Sequence, residues 1–286
     1  MQKMIAFLFI VALSIVMVSG LSVAYAATIS GTVKYAGSGL SGAKVTAEGP
    51  NSYLTTITSG SGTWSLTTVD GTTYSVDGMK QSFTHARVTG ISGSQSGITH
   101  NLSTRSTVNA EFKIVGDEEF RSLYGASWKT TAKDKLLSAE PWYKDEHTIS
   151  FADVAYYDTW DSNDSPPSCN SMVNEAMSET GWSGGTYSGA QVLAVFTAQT
   201  IPDANACVNT IPSSGGTHPA FITQHTTSDL PRTIMHEISH LYGFSHAASC
   251  TNIIPHIMAS SCGSSYVKNW LPGDDDLLDG SRRTWY

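Results

Sequence analysis

Hydrophobic and polar positions change their rhythm once along this 286-residue chain. From Thr28 to about Ser106, short runs alternate apolar with polar residues, as in TISGTVKYAG, AKVTAEG, YLTTIT, TWSLTTV and TYSVDG, with glycine-rich turns between them. Alternation puts every second side chain on one face of a pleated strand, so this segment predicts a small all-β sandwich without helices. The stretch FTHARVTGISGSQSGITHNLSTR is expected to finish the sandwich and lead into a linker near Arg105.

Beyond the linker, strands alternate with helical patterns. STVNAEFKIV predicts a strand, DEEFRSLYGASWKTTAKDKLLSAE a helical region, TISFADVAYYDTW a strand and NSMVNEAMSE a short helix; AQVLAVFTAQ and PAFITQH predict further strands. The segment therefore reads as an α/β or α+β domain. A last helix follows TTSD: Ile234, Met235, Ile238, Leu241 and Tyr242 recur at helical spacing, Ser228 or Asp229 can cap its amino end, and Pro231 suits its first turn. At the other extreme, MQKMIAFLFIVALSIVMVSGLSVAYAA combines Lys3, an apolar run and small residues at Ala24 and Ala26. The run is about 14 residues, short of the roughly 20 that cross a bilayer, so it reads as a secretory signal cleaved after Ala26, with an uncleaved anchor as the alternative. The expected division is a signal peptide over 1–26, a β-sandwich accessory domain over 27–106 and an α/β domain over 107–286. No later segment is long and apolar enough to span a membrane.

Composition narrows the partners. With 16 Lys+Arg against 24 Asp+Glu the net charge is −8, which repels phosphate backbones and anionic lipid heads, so nucleic acid is discounted. In an exported chain the four cysteines, Cys169, Cys207, Cys250 and Cys262, point to two disulfides. Three connectivities exist on paper; Cys169–Cys207 and Cys250–Cys262 are preferred because each closes a local loop.

The densest chemistry lies in HEISHLYGFSH. On a helix, residues four apart differ by about 40° in azimuth and 6 Å in height, so His236 and His240 can aim their imidazoles at one ion. Glu237 lies about 100° round, placed to reach a bound water rather than to ligate. If the helix continued, His246 would sit about 9 Å beyond His240 on another face. Gly243 can adopt the left-handed conformation that ends a helix, letting His246 swing back as the third ligand. Imidazole donors with one position left for water suit zinc.

The pattern HExxHxxGxxH, here His236, Glu237, His240, Gly243 and His246, resembles the zinc signature of the metzincin metallopeptidases. HIMASSCG, with Met258 twelve residues past His246, resembles the methionine turn that forms an apolar floor beneath the metal in that family. The resemblance implies Zn2+ as cofactor, protein or peptide as substrate, and hydrolysis by zinc-activated water with Glu237 as general base. By position, the strand HPAFITQ would be the edge against which substrate lies extended. The tyrosine that several family members carry two residues after the methionine is replaced by Ser260; Tyr266 is a candidate substitute, beside the plainer reading of a core or surface tyrosine.

In the amino-terminal half, SGTVKYAGSGLSGAKVTA and TSGSGTWSLTTVDGTTYSVDG resemble carboxypeptidase regulatory-like and collagen-adhesin B-type domains over roughly Ile29 to Met79. That resemblance implies a spacer or a module for cell-surface attachment. The whole then reads as a secreted zinc endopeptidase, a β-sandwich followed by a metzincin-type α/β domain, with a cell-surface adhesion protein carrying a structural zinc as the alternative. Smaller expectations complete the reading. His218, His225 and His256 are either scattered surface histidines or a second metal site, and the acidic run from Asp274 to Asp279 either caps a helix or holds calcium. Asn101 and Asn163 begin glycosylation sequons. No cysteine precedes Cys169, so latency through a cysteine ligand is not expected.

Overall fold

The computed structural model describes residues 26–50, 52–151, 156–182, 190–212, 219–246, 257–258, 278–283 and 285–286. The signal segment, Cys250, Cys262, His218, His256, Ser260, Tyr266 and the acidic residues Asp274, Asp275 and Asp276 lie outside the described residues, as does the Asp279 side chain.

The first eight strands are β1 (Ala26–Tyr35), β2 (Ser38–Gly39), β3 (Lys44–Gly49), β4 (Ser52–Ile57), β5 (Thr63–Val69), β6 (Thr73–Met79), β7 (Ala86–Ser92) and β8 (Gln95–Leu102). They form two four-stranded sheets. In one, β2, β1 and β5 run side by side and β8 pairs with β1 in parallel; in the other the order is β4-β3-β6-β7. The strand TWSLTTV buries every second residue, as its alternation requires. Ile29 and Val33 of β1, Trp64 and Leu66 of β5, and Val45, Ala47, Tyr74 and Val76 of the facing sheet share one apolar cluster. β1 begins at Ala26, which pairs with Val69, so the first strand includes the residue that the expected cleavage would remove.

Next come β9 (Val108–Asn109), β10 (Phe112–Gly116), α1 (Glu118–Tyr124), α2 (Trp128–Leu137), α3 (Glu140–His147), β11 (Ile149–Ser150), β12 (Tyr156–Thr159), α4 (Cys169–Glu179), β13 (Val192–Thr197), β14 (Ala206–Val208), β15 (Ala220–Gln224) and α5 (Leu230–Leu241). Five strands make one sheet in the order β12-β10-β13-β15-β14. β12, β10, β13 and β15 pair in parallel and β14 runs antiparallel to β15. Both faces are covered, which is why VLAVFT is buried at every position. Phe112, Ile114, Ala194, Phe196 and Phe221 pack with α2, α3 and α5 on one face. Val115, Leu193, Val195 and Ile222 pack with Met172, Val173 and Ala176 of α4 on the other.

Three predicted elements come out differently. STVNAEFKIV holds two strands, β9 and β10, in different sheets. TISFADVAYYDTW contains two strands in different sheets, β11 beside β9 and β12 beside β10. The helical region runs past SAE into α3, where Pro141 occupies the first turn, the one place in a helix where a missing N–H costs nothing. The chain is β-rich, and its described α-helices all follow residue 117.

The carboxyl end of α3 meets the amino-terminal sheets. Lys44 of β3 pairs with the buried Glu146, Arg105 Nη2 donates to the Glu146 carbonyl (3.1 Å), and the Ser82 N–H donates to Thr148 Oγ1 (3.2 Å). Arg283 donates to the carbonyls of His147 and Ser106. Guanidinium donors thus satisfy helix-end carbonyls that have no partner within the helix.

Candidate metal centre

Helix α5 carries the site. Asp229 is its N-cap, accepting the Arg232 N–H at 3.4 Å, so of the two candidate caps the structure uses the second. Its inner face buries Leu230, Ile234, Met235, Ile238 and Leu241. From behind, the Tyr143 hydroxyl donates to the Met235 carbonyl (2.9 Å) and meets Ser239 Oγ (2.9 Å), which fixes the helix rotation. The outer face presents His236, Glu237 and His240 to a cleft.

The helix stops at Leu241. Gly243 has φ +84°, its N–H donates to the His240 carbonyl (2.8 Å), and the Phe244 N–H reaches back to the Ser239 carbonyl (3.2 Å). This is a Schellman ending, which turns the chain through a left-handed residue. A second constraint acts here: a Cβ on Gly243 would lie 2.8 Å from the Pro212 carbonyl oxygen and 3.0 Å from the Trp285 ring. Around this end, Arg282 Nη1 donates to the Tyr242 carbonyl (2.9 Å) and the Tyr286 hydroxyl to the Leu241 carbonyl (2.8 Å).

The turn returns His246 to the helix. The three Nε2 atoms of His236, His240 and His246 lie 3.0, 3.0 and 3.1 Å apart. The His236 Nδ1–H donates to the Ile257 carbonyl (2.7 Å) and the His240 Nδ1–H to the Phe244 carbonyl (2.6 Å). A carbonyl can only accept, so these bonds set the tautomer and leave both Nε2 lone pairs aimed at the same point. Burial keeps both rings neutral, lowering His236 to about 3 and His240 to about 4. Two such lone pairs at 3.0 Å repel unless a proton or a cation lies between them. Zinc–nitrogen bonds of about 2.0–2.1 Å at tetrahedral angles put ligand nitrogens about 3.3 Å apart, close to the observed triangle. The donor set and its carbonyl partners therefore fit a divalent zinc-like ion.

Glu237 is 5% exposed and lines the same cleft, and burial raises its carboxyl to about 8. Met258 is fully buried in the apolar cluster that includes Ile234 and Ile238, next in sequence to the carbonyl that holds His236. The cleft, about 590 Å³, has α5 as one wall and residues 203–208 with Ile211 as the other. Here one expectation is corrected. β15, containing AFITQ, is paired on both sides, and the edge strand is β14, ACV. Asn205 and Asn209 bond to β15, so the backbone groups of Ala206 and Val208 between them turn to the outer edge. Cys169 at the start of α4 is bonded to Cys207 of β14, the preferred local pairing.

Two charged cleft residues were not anticipated from sequence: Asp203, whose carboxylate accepts the Cys169 N–H at 2.8 Å, and Arg232. Arg232 sits four residues before His236, the same spacing that pairs the histidines, and that is the signal that would have found it. His225 stands apart from the triad in its contacts, with its Nδ1 3.1 Å from the Tyr124 hydroxyl. Glu118, Glu119 and Asp164 form a second cluster of possible ligands, in which Ser162 donates to both glutamates.

No family model matches the chain, and no curated protein matches it. Among solved structures it is similar to one described as the structure of a chaperone-substrate complex, with 15% identity and a TM-score of 0.39, over 66% of this chain and 29% of that one. The chain thus spans less than a third of that protein, and a likeness of this degree carries no functional argument. Among the described residues no helix is long and apolar enough to cross a membrane.

Proposed function

We propose that the chain is a zinc-dependent endopeptidase of the metzincin type, secreted, with an amino-terminal β-sandwich over 27–106 as its accessory module and a catalytic domain over 107–286. The observation that carries the reading is the convergence of three Nε2 atoms within 3.1 Å beside a buried carboxyl. His236, His240 and His246 would hold the zinc ion, which when bound would supply Lewis-acid polarisation of a carbonyl and a water acidic enough to ionise near neutral pH.

The chain's own groups do the rest. Glu237 has no hydrogen-bond partner among the described residues, so its carboxylate is free to take a proton from the attacking water. Once protonated, it returns that proton to the amine as the carbon–nitrogen bond breaks. The outer edge of β14 offers the backbone of Ala206 and Val208 to an extended peptide, orienting the scissile bond along the cleft. Met258 supplies apolar packing beneath the histidines, and Gly243 delivers His246.

Glu237→Gln tests the reading. The variant should retain one zinc per chain by elemental analysis while casein or gelatin cleavage falls by about three orders of magnitude or more. Equal cleavage by variant and wild type would overturn the role of Glu237; absence of stoichiometric zinc would overturn the site.

A further inference from the structure

The first turn of α5 holds a cation where a helix least accommodates one. Arg232 is the third residue of α5, and the first turn contains no acidic residue. The amino end of a helix carries partial positive charge, so a guanidinium there is opposed by the dipole. Arg232 lines the cleft with Thr233, His236 and Glu237. Its Nε is buried and has no acceptor among the described residues. No carboxylate among the described residues pairs with its side chain: Asp229 accepts the Arg232 backbone N–H as the N-cap, and Asp203 accepts the Cys169 N–H. Arg232 thus places a planar, five-donor cation on the cleft wall, and that fork matches the two oxygens of a carboxylate. Departures from local propensity of this sort collect at functional sites.

We propose that Arg232 is a specificity-determining residue that binds a carboxylate of the peptide substrate, one helical turn, about 6 Å along the axis, from the histidine His236. This inference rests on the peptidase reading and names the substrate class of the same cleft: peptides with an acidic group close to the scissile bond. The carboxylate has two sources, an Asp or Glu side chain or the free carboxyl end of a peptide.

Three quenched fluorescent peptides of one core sequence separate them: one with Glu and blocked ends, its Gln counterpart with blocked ends, and a Gln peptide with a free carboxyl end. Each is measured with the zinc-loaded chain. The wild type should cleave the Glu peptide or the free-carboxyl peptide with a kcat/KM at least tenfold above the blocked Gln peptide. Whichever is preferred identifies the source. In Arg232→Gln that ratio should fall to about one; in Arg232→Lys, which keeps the charge but loses the fork, it should be intermediate. Zinc stoichiometry and circular dichroism confirm that both variants fold, and Arg232→Lys carries the test if Arg232→Gln does not. A wild-type ratio near one with active cleavage overturns the carboxylate site and leaves the peptidase reading intact. If no peptide is cleaved, the peptidase reading fails, and binding of the same peptides to the zinc-loaded chain by fluorescence anisotropy decides the site. Tenfold tighter binding of a carboxylate peptide, lost in Arg232→Gln, supports it; equal binding overturns it.

Discussion

At the scale of single residues, Gly243 shows how one backbone conformation brings a third imidazole to two others. Its φ of +84° is a region that L side chains rarely adopt, and the space a Cβ would need is taken by the Pro212 carbonyl and the Trp285 ring. Gly243→Ala must either strain the left-handed turn or shift it, and both move His246 away from the two histidines on α5. We expect a loss of about 1–3 kcal/mol in stability. Zinc affinity should fall more than tenfold, because the third donor no longer meets the other two. Competition with a chromogenic chelator measures this directly, and an alanine variant with wild-type affinity would show that the turn does not position His246. Glycine at this position was legible in the sequence because helical spacing ran up to it and a needed donor lay just beyond. Arg232 was not, since a lone arginine in a helix ordinarily lies on a solvated face and its unmet Nε exists only after the cleft has formed.

At the scale of elements, the tie between α4 and β14 is the consequential one. β14 is three residues long and lies at the end of the sheet, with β15 as its partner on one side only. Such an edge is held weakly by its ladder, and the Cys169–Cys207 bond, closing a separation of 38 residues, anchors it to the helix that covers the sheet. Loop closure of that length stabilises the fold by about 4 kcal/mol in the chain-entropy account. Cys169→Ala/Cys207→Ala should therefore lower stability by about 2–4 kcal/mol. Under the proposed substrate geometry it should also raise KM more than it lowers kcat, since β14 orients the peptide and does not touch the proton being moved. A variant that loses stability with KM unchanged would remove β14 from the substrate site. The same strand marks where sequence reading ran short. Ala206–Val208 has no alternation long enough to register, and AFITQ looked like an edge because nothing in its own residues reveals a partner on the far side. Helix α5, by contrast, was legible down to its two capping candidates, because its apolar spacing, cap and proline all point to one boundary.

At the scale of the whole molecule, the amino-terminal sheets and the mixed sheet have separate apolar clusters, joined by polar contacts around the carboxyl end of α3. Sequence alone placed the change of rhythm near Arg105, but it could not show that Arg105 itself caps a helix end 41 residues further on, because that contact exists only between finished elements. Glu146 is 5% exposed and its partner Lys44 is 28% exposed, so the pair is desolvated chiefly on the acidic side. Removing the cation leaves a carboxylate in a site with little water, whereas removing the charge on both sides does not. Lys44→Ala is accordingly expected to cost about 1–3 kcal/mol, and adding Glu146→Gln should recover part of that loss. Urea titrations of the single variants, the double variant and the wild type read the coupling, each followed by tryptophan fluorescence. If the double variant is as destabilised as the sum of the singles, the pair carries no coupling, and the contact of the two halves rests on other groups, Arg105, Arg283 and Thr148 among them. A positive coupling would mean that the amino-terminal sheet at β3 stabilises the same helix that, through Tyr143, holds α5 and its histidines in rotation. The amino-terminal sheets would then act on the histidine cluster through packing.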